Sequence, residues 1–144
     1  MRVASLLTTK GSDIISLRDD ATINDAVKLL CERKIGATIV LGPEGKLAGI
    51  LSERDIIRGM GVSGGAGIGD KPVSSLMTTS VECCHPDDTV DSIMQRMTMG
   101  RFRHMPVMEE GKLVGVISIG DVVKNRISDL ELEANAMRDY IAGA

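Results

Sequence analysis

Gly45-Lys46-Leu47-Ala48-Gly49-Ile50-Leu51-Ser52-Glu53-Arg54-Asp55-Ile56-Ile57 returns further along the chain as Gly111-Lys112-Leu113-Val114-Gly115-Val116-Ile117-Ser118-Ile119-Gly120-Asp121-Val122-Val123. Each copy runs from a glycine turn through an apolar strand to Ser-x-x-Asp and then into a second apolar run. That is the pattern of a strand delivering a hydroxyl and a carboxylate to the start of a helix. Two such corners within 144 residues predict a duplicated unit with a paired binding site.

Upstream of the first copy, residues 3–7 read as a short helix or extended arm and residues 13–17 as a strand. Thr22 caps a helix whose apolar face is Ile23, Ala26, Val27, Leu29, Leu30 and Ile35, with Gly36 as its stop. Residues 37–41 form a buried strand, Gly42-Pro43-Glu44-Gly45 a turn, and residues 46–51 the returning strand of a hairpin, before a helix that opens at Asp55. The order is β-α-β-β-α. It restarts after Pro72, with a helical turn over residues 73–77, a strand over 80–84 and a helix capped at Thr89 that turns Val90, Ile93, Met94 and Met97 inward. A second hairpin of residues 104–108 and 112–117 folds around Glu109-Glu110-Gly111, and Asp121 opens the closing helix. Thr22 corresponds to Thr89 and Asp55 to Asp121, with a single residue lost in the hairpin turn, where length changes cost least.

The fold class expected is therefore α+β, with two pseudo-symmetric β-α-β-β-α repeats forming one compact module plus a C-terminal helix. Residues 1–60 hold the first repeat with its N-terminal arm, 61–72 a glycine-rich connector, 73–127 the second repeat and 128–144 the final helix. Six glycines between 59 and 70 make that stretch read as flexible. Gly59-Met60-Gly61-Val62-Ser63-Gly64 matches G-x-G-x-x-G, but it trails a helix instead of joining a strand to one, so it is not a dinucleotide fingerprint. Past the repeats, Ile127, Leu130, Ala134, Met137 and Ile141 recur at steps of three and four, a seam that either folds back on the core or packs on a second subunit.

Composition narrows the function. Hydrophobic residues make up 43% of the chain, enough for a core. No apolar stretch approaches the roughly 20 residues of a membrane span, and no secretory signal follows Met1, so a soluble, cytoplasmic protein is expected. A net charge of −3 with one Phe, one Tyr and no Trp argues against a nucleic-acid partner. Cys31, Cys83 and Cys84 form neither a C-x-x-C pair nor an even set, so buried thiols are expected in place of a metal site or a disulfide framework, even with His85 beside Cys84.

The ordered set of G-x-L-x-G-h-h-S-x-x-D twice, Met77-Thr78, Pro86-Asp87-Asp88-Thr89-Val90 and His104-Met105-Pro106-Val107 resembles the tandem cystathionine-beta-synthase (CBS) domain pair, the Bateman module, in its stand-alone bacterial form. The resemblance implies two stacked repeats with clefts that bind an adenine nucleotide, AMP first, with ATP, NAD or S-adenosylmethionine as alternatives. It further implies a non-catalytic regulatory role, a homodimer and an unidentified regulated protein.

A carboxylate at a helix start can accept hydrogen bonds from both ribose hydroxyls, while a serine and the free N–H groups of the helix meet phosphate. Asp55 and Asp121 are accordingly the ribose candidates, with Ser52 and Ser118 beside them, and plain N-capping is the competing reading for both pairs. The resemblance makes Arg101, Arg103 and His104 the basic candidates for phosphate, with Met105 and Pro106 in the same motif and a solvated charged face as the competing reading. Arg54 sits inside the first motif, where the second has Gly120. Thr38 and Thr79 are candidates for a phosphate or a base edge, against an ordinary strand role. Because Ala37-Thr38-Ile39 replaces His104-Met105-Pro106, the second corner is expected to be the better-formed one. Two other readings stay open: a structural dimerisation module without ligand, and a nucleotide-processing enzyme using Asp121 or His104 as base.

Overall fold

The structure, a computed structural model, describes residues 1–11 and 13–143. Its helices and strands fall into two compact units that do not follow the order of the repeats along the chain.

One unit is built on Asp13–Glu82. A three-stranded sheet in the order β1-β2-β3 pairs β1 (Ser16–Arg18) parallel and β3 (Leu47–Ser52) antiparallel to the central β2 (Ala37–Leu41). The central strand is buried along four of its five residues, three of them apolar and the fourth Thr38, as in a strand covered on both faces. Strand β1 starts later than expected, because only Ser16–Arg18 align with Ile39–Leu41; upstream the pairing thins to one bond from Ile39 N to Ile15 O.

Helix α2 (Ile23–Arg33) starts at the expected cap. Thr22 Oγ1 accepts from Asp25 N at 3.2 Å, and an Asp25 carboxylate oxygen accepts from Thr22 N at 3.0 Å. The helix stops at Lys34, which takes the left-handed conformation at φ 54°, short of the expected Gly36. Ile23, Ala26 and Leu30 then meet Val40, Leu51, Ile56 and Val73 in one core.

The glycine-rich stretch departs from expectation. Helix α3 (Glu53–Ser63) runs through Gly59 and Gly61 and ends where Gly64 adopts φ +72°, and a 3₁₀ turn at Ile68–Asp70 follows. Gly59 is buried because a Cβ there would stand 2.7 Å from both Leu76 methyls, so this glycine serves close packing, not flexibility. The G-x-G-x-x-G match lies wholly in the last turns of α3 and its cap. Residues 71–82 and Glu110–Leu113 complete the unit. Ile23 N donates to Lys71 O, Val73 N to Ala21 O, and Ile50 and Thr78 exchange two backbone bonds beside β3.

The other unit gathers Cys83–Glu109 with the chain's first helix and everything from Val114 onward. Helix α1 (Val3–Lys10), expected beside the first repeat, packs here instead. The reason is in the backbone: Val3 N donates to Asp88 O, Ala4 N to Pro86 O and Val90 N to Met1 O, and Val3 and Leu6 enter a core with Val90, Ile93, Met97, Met105, Val107, Ile117 and Val122. Helix α4 (Val90–Gly100) is capped by Thr89 as expected, and β4 (His104–Glu109) and β5 (Lys112–Ser118) form the second hairpin.

The strand expected over residues 80–84 shrinks to one parallel bridge, Cys84 N to Pro106 O and Met108 N to Cys84 O. A turn at Thr79–Val81 diverts the chain before it, and a turn in which His85 N donates to Asp88 follows it. Helix α5 (Ile119–Gly143) is continuous over 25 residues, so the boundary expected after residue 127 falls inside it. Ile127, Leu130, Met137 and Ile141 are exposed, so the seam does not fold back on this core.

Candidate ligand-binding corners

Both Ser-x-x-Asp motifs fold into the same corner. In the first, the strand β3 ends at Ser52, which caps α3 in extended geometry. Ser52 Oγ accepts from Asp55 N at 3.2 Å, and Asp55 Oδ2 accepts from Ser52 N at 2.9 Å and from Ser52 Oγ at 3.0 Å. Asp55 is thus the third residue of the helix, not its first. Its other oxygen, Oδ1, accepts from Thr78 Oγ1 at 3.3 Å. Glu53 N donates to Gly36 O at 2.9 Å, and the Glu53 carboxylate lies so close to Gly36 that a Cβ there would stand 2.8 Å from Oε1. Arg54 points to solvent.

In the second corner Ser118 N donates to Asp121 Oδ2 at 2.9 Å and Asp121 N to Ser118 Oγ at 3.2 Å. Ile119 N donates to Arg103 O at 2.8 Å, the counterpart of the Glu53–Gly36 bond, and this ties Arg103 at the start of the hairpin to the serine corner. The carboxylate has a different partner here. Lys10, the last residue of α1, donates from Nζ to Asp121 Oδ2 at 2.6 Å and to Val116 O at 2.8 Å. Burial pushes the Asp121 carboxyl up, but the Lys10 and Ser118 donors and the Lys10 charge outweigh it and hold the group below the usual carboxylate range. N-capping is therefore realised at both corners, through one oxygen of each aspartate. It leaves Oδ1 of Asp121 without a hydrogen bond among the described residues.

The remaining candidates separate into surface and core. Arg101, the left-handed cap of α4, and Arg103 are exposed, and His104 is half-buried at the start of β4. Met105 and Pro106 are buried on β4. Thr38 is 3% exposed and gives its hydroxyl to Ile15 O at 3.1 Å, the strand role weighed against it, whereas Thr79 is exposed. No group of three or more His, Cys, Asp or Glu able to hold a metal occurs among the described residues. The Cys84 thiol is pushed up to about 12, chiefly by burial.

Sequence reasoning missed Lys10 and Thr78 as partners of the two carboxylates. A signal exists for the segments that carry them, though not for the two side chains, since the alignment pairs Thr78 with Thr8 and Lys10 with Ser80. Val3-Ala4-Ser5-Leu6-Leu7-Thr8-Thr9 matches Val73-Ser74-Ser75-Leu76-Met77-Thr78-Thr79, so the segment leading into each unit is itself repeated. Leu7 and Met77 even press on equivalent glycines, Gly115 and Gly49, of the strands that lead to the two serines.

The duplicated strand-to-helix corner on a duplicated β-α-β-β-α frame defines a tandem repeat module. A sequence model of the family described as the CBS domain matches residues 3–61 and again 73–128, and the chain belongs to that family. It is 36% identical over 128 residues to the mitochondrial CBS domain-containing protein CBSX3 of Arabidopsis thaliana, covering 86% of this chain but only 62% of that protein's length. Among solved structures, the CBS-domain containing protein ATU1752 of Agrobacterium tumefaciens superposes with a TM-score of 0.82 at 43% identity, covering 87% of this chain and 92% of the other. The CBS domain protein PAE2072 of Pyrobaculum aerophilum, solved in complex with AMP, superposes with a TM-score of 0.77 at 27% identity, covering 93% and 99% of the two chains.

Proposed function

We propose that the chain is a non-catalytic regulatory module that binds an adenine nucleotide, AMP first and ATP, NAD or S-adenosylmethionine as alternatives, at its Ser-x-x-Asp corners. The observation that carries the reading is the Ser118–Asp121 corner. A partly buried carboxylate with one oxygen open stands at a helix N-terminus, beside an arginine fixed by its own backbone carbonyl. In this reading Asp121 Oδ1 receives a ribose hydroxyl, and the Ser118 hydroxyl meets phosphate with Gly120 N–H, since the amides of Ile119 and Asp121 are already bonded to Arg103 O and Ser118 Oγ. Arg103, Arg101 and His104 add charge on the phosphate side. At the other corner Ser52, Asp55 and Arg54 play the same parts, with Thr79 near and Thr38 supporting from the core.

The AMP-bound Pyrobaculum relative supports the ligand class. A carboxylate held low by Lys10 and committed to a cap is a poor general base, which supports a sensor over a nucleotide-processing enzyme. Association of two copies, a regulated protein partner and a cytoplasmic place of action belong to the same proposal. The described helices include none long and apolar enough to cross a membrane.

Thermal melts with AMP, ATP, NAD and S-adenosylmethionine test it, together with mass spectrometry of whatever leaves the purified protein on denaturation. A nucleotide at 100 times its dissociation constant adds about 2.7 kcal/mol of stability. Asp121→Ala should weaken AMP binding at least about tenfold through the loss of a charge-assisted bond. No shift with any of the four would overturn the reading. One observation favours a second reading, a dimerisation module without ligand: Lys10 already gives Asp121 a charged partner. A protein that is dimeric, carries no nucleotide and melts identically with all four would select it.

A further inference from the structure

Helix α5 carries two separate faces. Val122 is fully buried in its own unit, and one turn on Asn125 reaches Met1 Sδ, so that face belongs to the fold. Val123, Ile127, Leu130, Ala134, Met137 and Ile141 recur at steps of four and three roughly 100° around the helix from Val122, and all six are exposed. Met137 and Ile141 are 61% and 67% exposed, values typical of surface lysines and not of apolar residues in a settled fold.

Assigning Ile127, Ala134 and Ile141 to position a of a heptad puts Val123, Leu130 and Met137 at d. The flanking positions are then Arg126, Glu133 and Tyr140 at g, and Lys124, Glu131 and Arg138 at e. In a parallel, in-register pair each g residue faces the e residue five places on in the other strand. Arg126 meets the partner's Glu131, and Glu133 meets the partner's Arg138, so both charged pairs are attractive and each occurs twice by symmetry.

The antiparallel arrangement that covers the whole seam sets Ile127 against the partner's Met137 and Val123 against the partner's Ile141. It also sets Glu131 against the partner's Glu131, Glu133 against the partner's Glu133, and Lys124 against the partner's Arg138, all of like sign. Sliding that arrangement by one heptad relieves the repulsion but strands either Val123 with Ile127 or Met137 with Ile141. Within a parallel coiled coil, Ile127 and Ile141 at a with Leu130 at d favour two strands.

We infer that the exposed seam of α5 is the docking surface for a second copy of this chain, joined as a parallel, in-register two-stranded coiled coil from Val123 to Ile141. The inference rests on the association of two copies proposed above and adds where and in which orientation they meet. It is independent of the nucleotide.

Sedimentation velocity on the full chain tests the surface, and disulfide capture tests the orientation. Leu130→Asp, at an exposed position where folding is not at stake, should leave a folded monomer at concentrations where the parent is dimeric. Arg126→Glu should weaken the dimer at least about tenfold, since two attractive pairs become repulsive. Adding Glu131→Arg to that variant should restore it, because the swapped pair attracts again only when the strands are parallel. Ala134→Cys in a Cys31→Ser background should oxidise to a linked dimer, since the two position-134 side chains meet only in the parallel register.

A dimer untouched by Leu130→Asp overturns the inference while leaving association itself standing. A dimer broken by Leu130→Asp but neither rescued by the charge swap nor captured at position 134 overturns the parallel arrangement. A parent chain that is monomeric overturns the inference and the proposed association together.

Discussion

Asp121 and Lys10 meet across 2.6 Å with side chains 23% and 31% exposed, close enough to pair and wet enough to be screened. Because the folded carboxyl titrates below its ordinary value, the pair contributes stability at neutral pH that is lost as pH falls through the folded value. Lys10→Met should therefore cost about 1 kcal/mol at pH 7. The difference from the parent should begin to shrink below about pH 4, where the unfolded carboxyl starts to take up its proton, and go on shrinking as pH falls through the lower folded value; urea unfolding at pH 7 and pH 3 reads this directly. At this scale the sequence showed half of the site. Ser-x-x-Asp has a local signature, because cap and carboxylate lie three residues apart. The donors to the carboxylates come from Lys10 and Thr78, far away in the chain, and no spacing rule reports such a contact. Thr38 and Met105 are buried, a property the motif could not report, since motif membership does not say which face of a strand a side chain occupies.

The segments that lead into the two units show how one short phrase settles differently against the same kind of strand. Residues 73–75 make a single 3₁₀ turn and the chain then lies along β3, where Thr78 exchanges backbone bonds with Ile50. Val3–Lys10 stays helical to its end, so Leu7 and not a backbone carbonyl faces the strand. The two equivalent glycines are therefore under different constraint. A Cβ at Gly49 would stand 2.6 Å from Thr78 O, a carbonyl pinned by its bond from Ile50 N, whereas at Gly115 it would stand 2.7 Å from a Leu7 methyl that can rotate away. Gly49→Ala should destabilise by about 2 kcal/mol or more, and Gly115→Ala by clearly less, in matched denaturant titrations. Helices α2 and α4 and both hairpins were legible because cap residues and apolar period agree. The glycine-rich stretch misled because Gly59 is chosen for what presses on it, Leu76 and Ile68, and composition cannot tell a packed glycine from a flexible one.

For the molecule as a whole, the cores do not respect the order of the chain. The core around Ile23, Val40 and Leu51 draws only on residues 17–77, while that around Met105 and Ile117 needs Val3 and Leu6 from the far end of the sequence. Deleting residues 1–10 should strip amide-exchange protection from β4, β5 and α4 while β2 and β3 keep theirs. Loss of protection in the reverse order would contradict this division. Pattern reasoning found the pseudo-symmetric frame but assigned the arm to its sequence neighbour, because hydrophobic period says that a helix has an inner face and not whose core it enters. On the ribosome this arrangement creates a delay. The Asp13–Glu82 unit holds all of its core residues once Met77 has emerged, whereas helix α1, made before that unit, has no core to join until Val122 follows, which at ordinary elongation rates takes on the order of 10 s. Through that interval Val3, Leu6 and Leu7 are bare on the nascent chain. A segment made before either unit is thus protected only after both, and its apolar face is open to a nascent-chain chaperone throughout that interval.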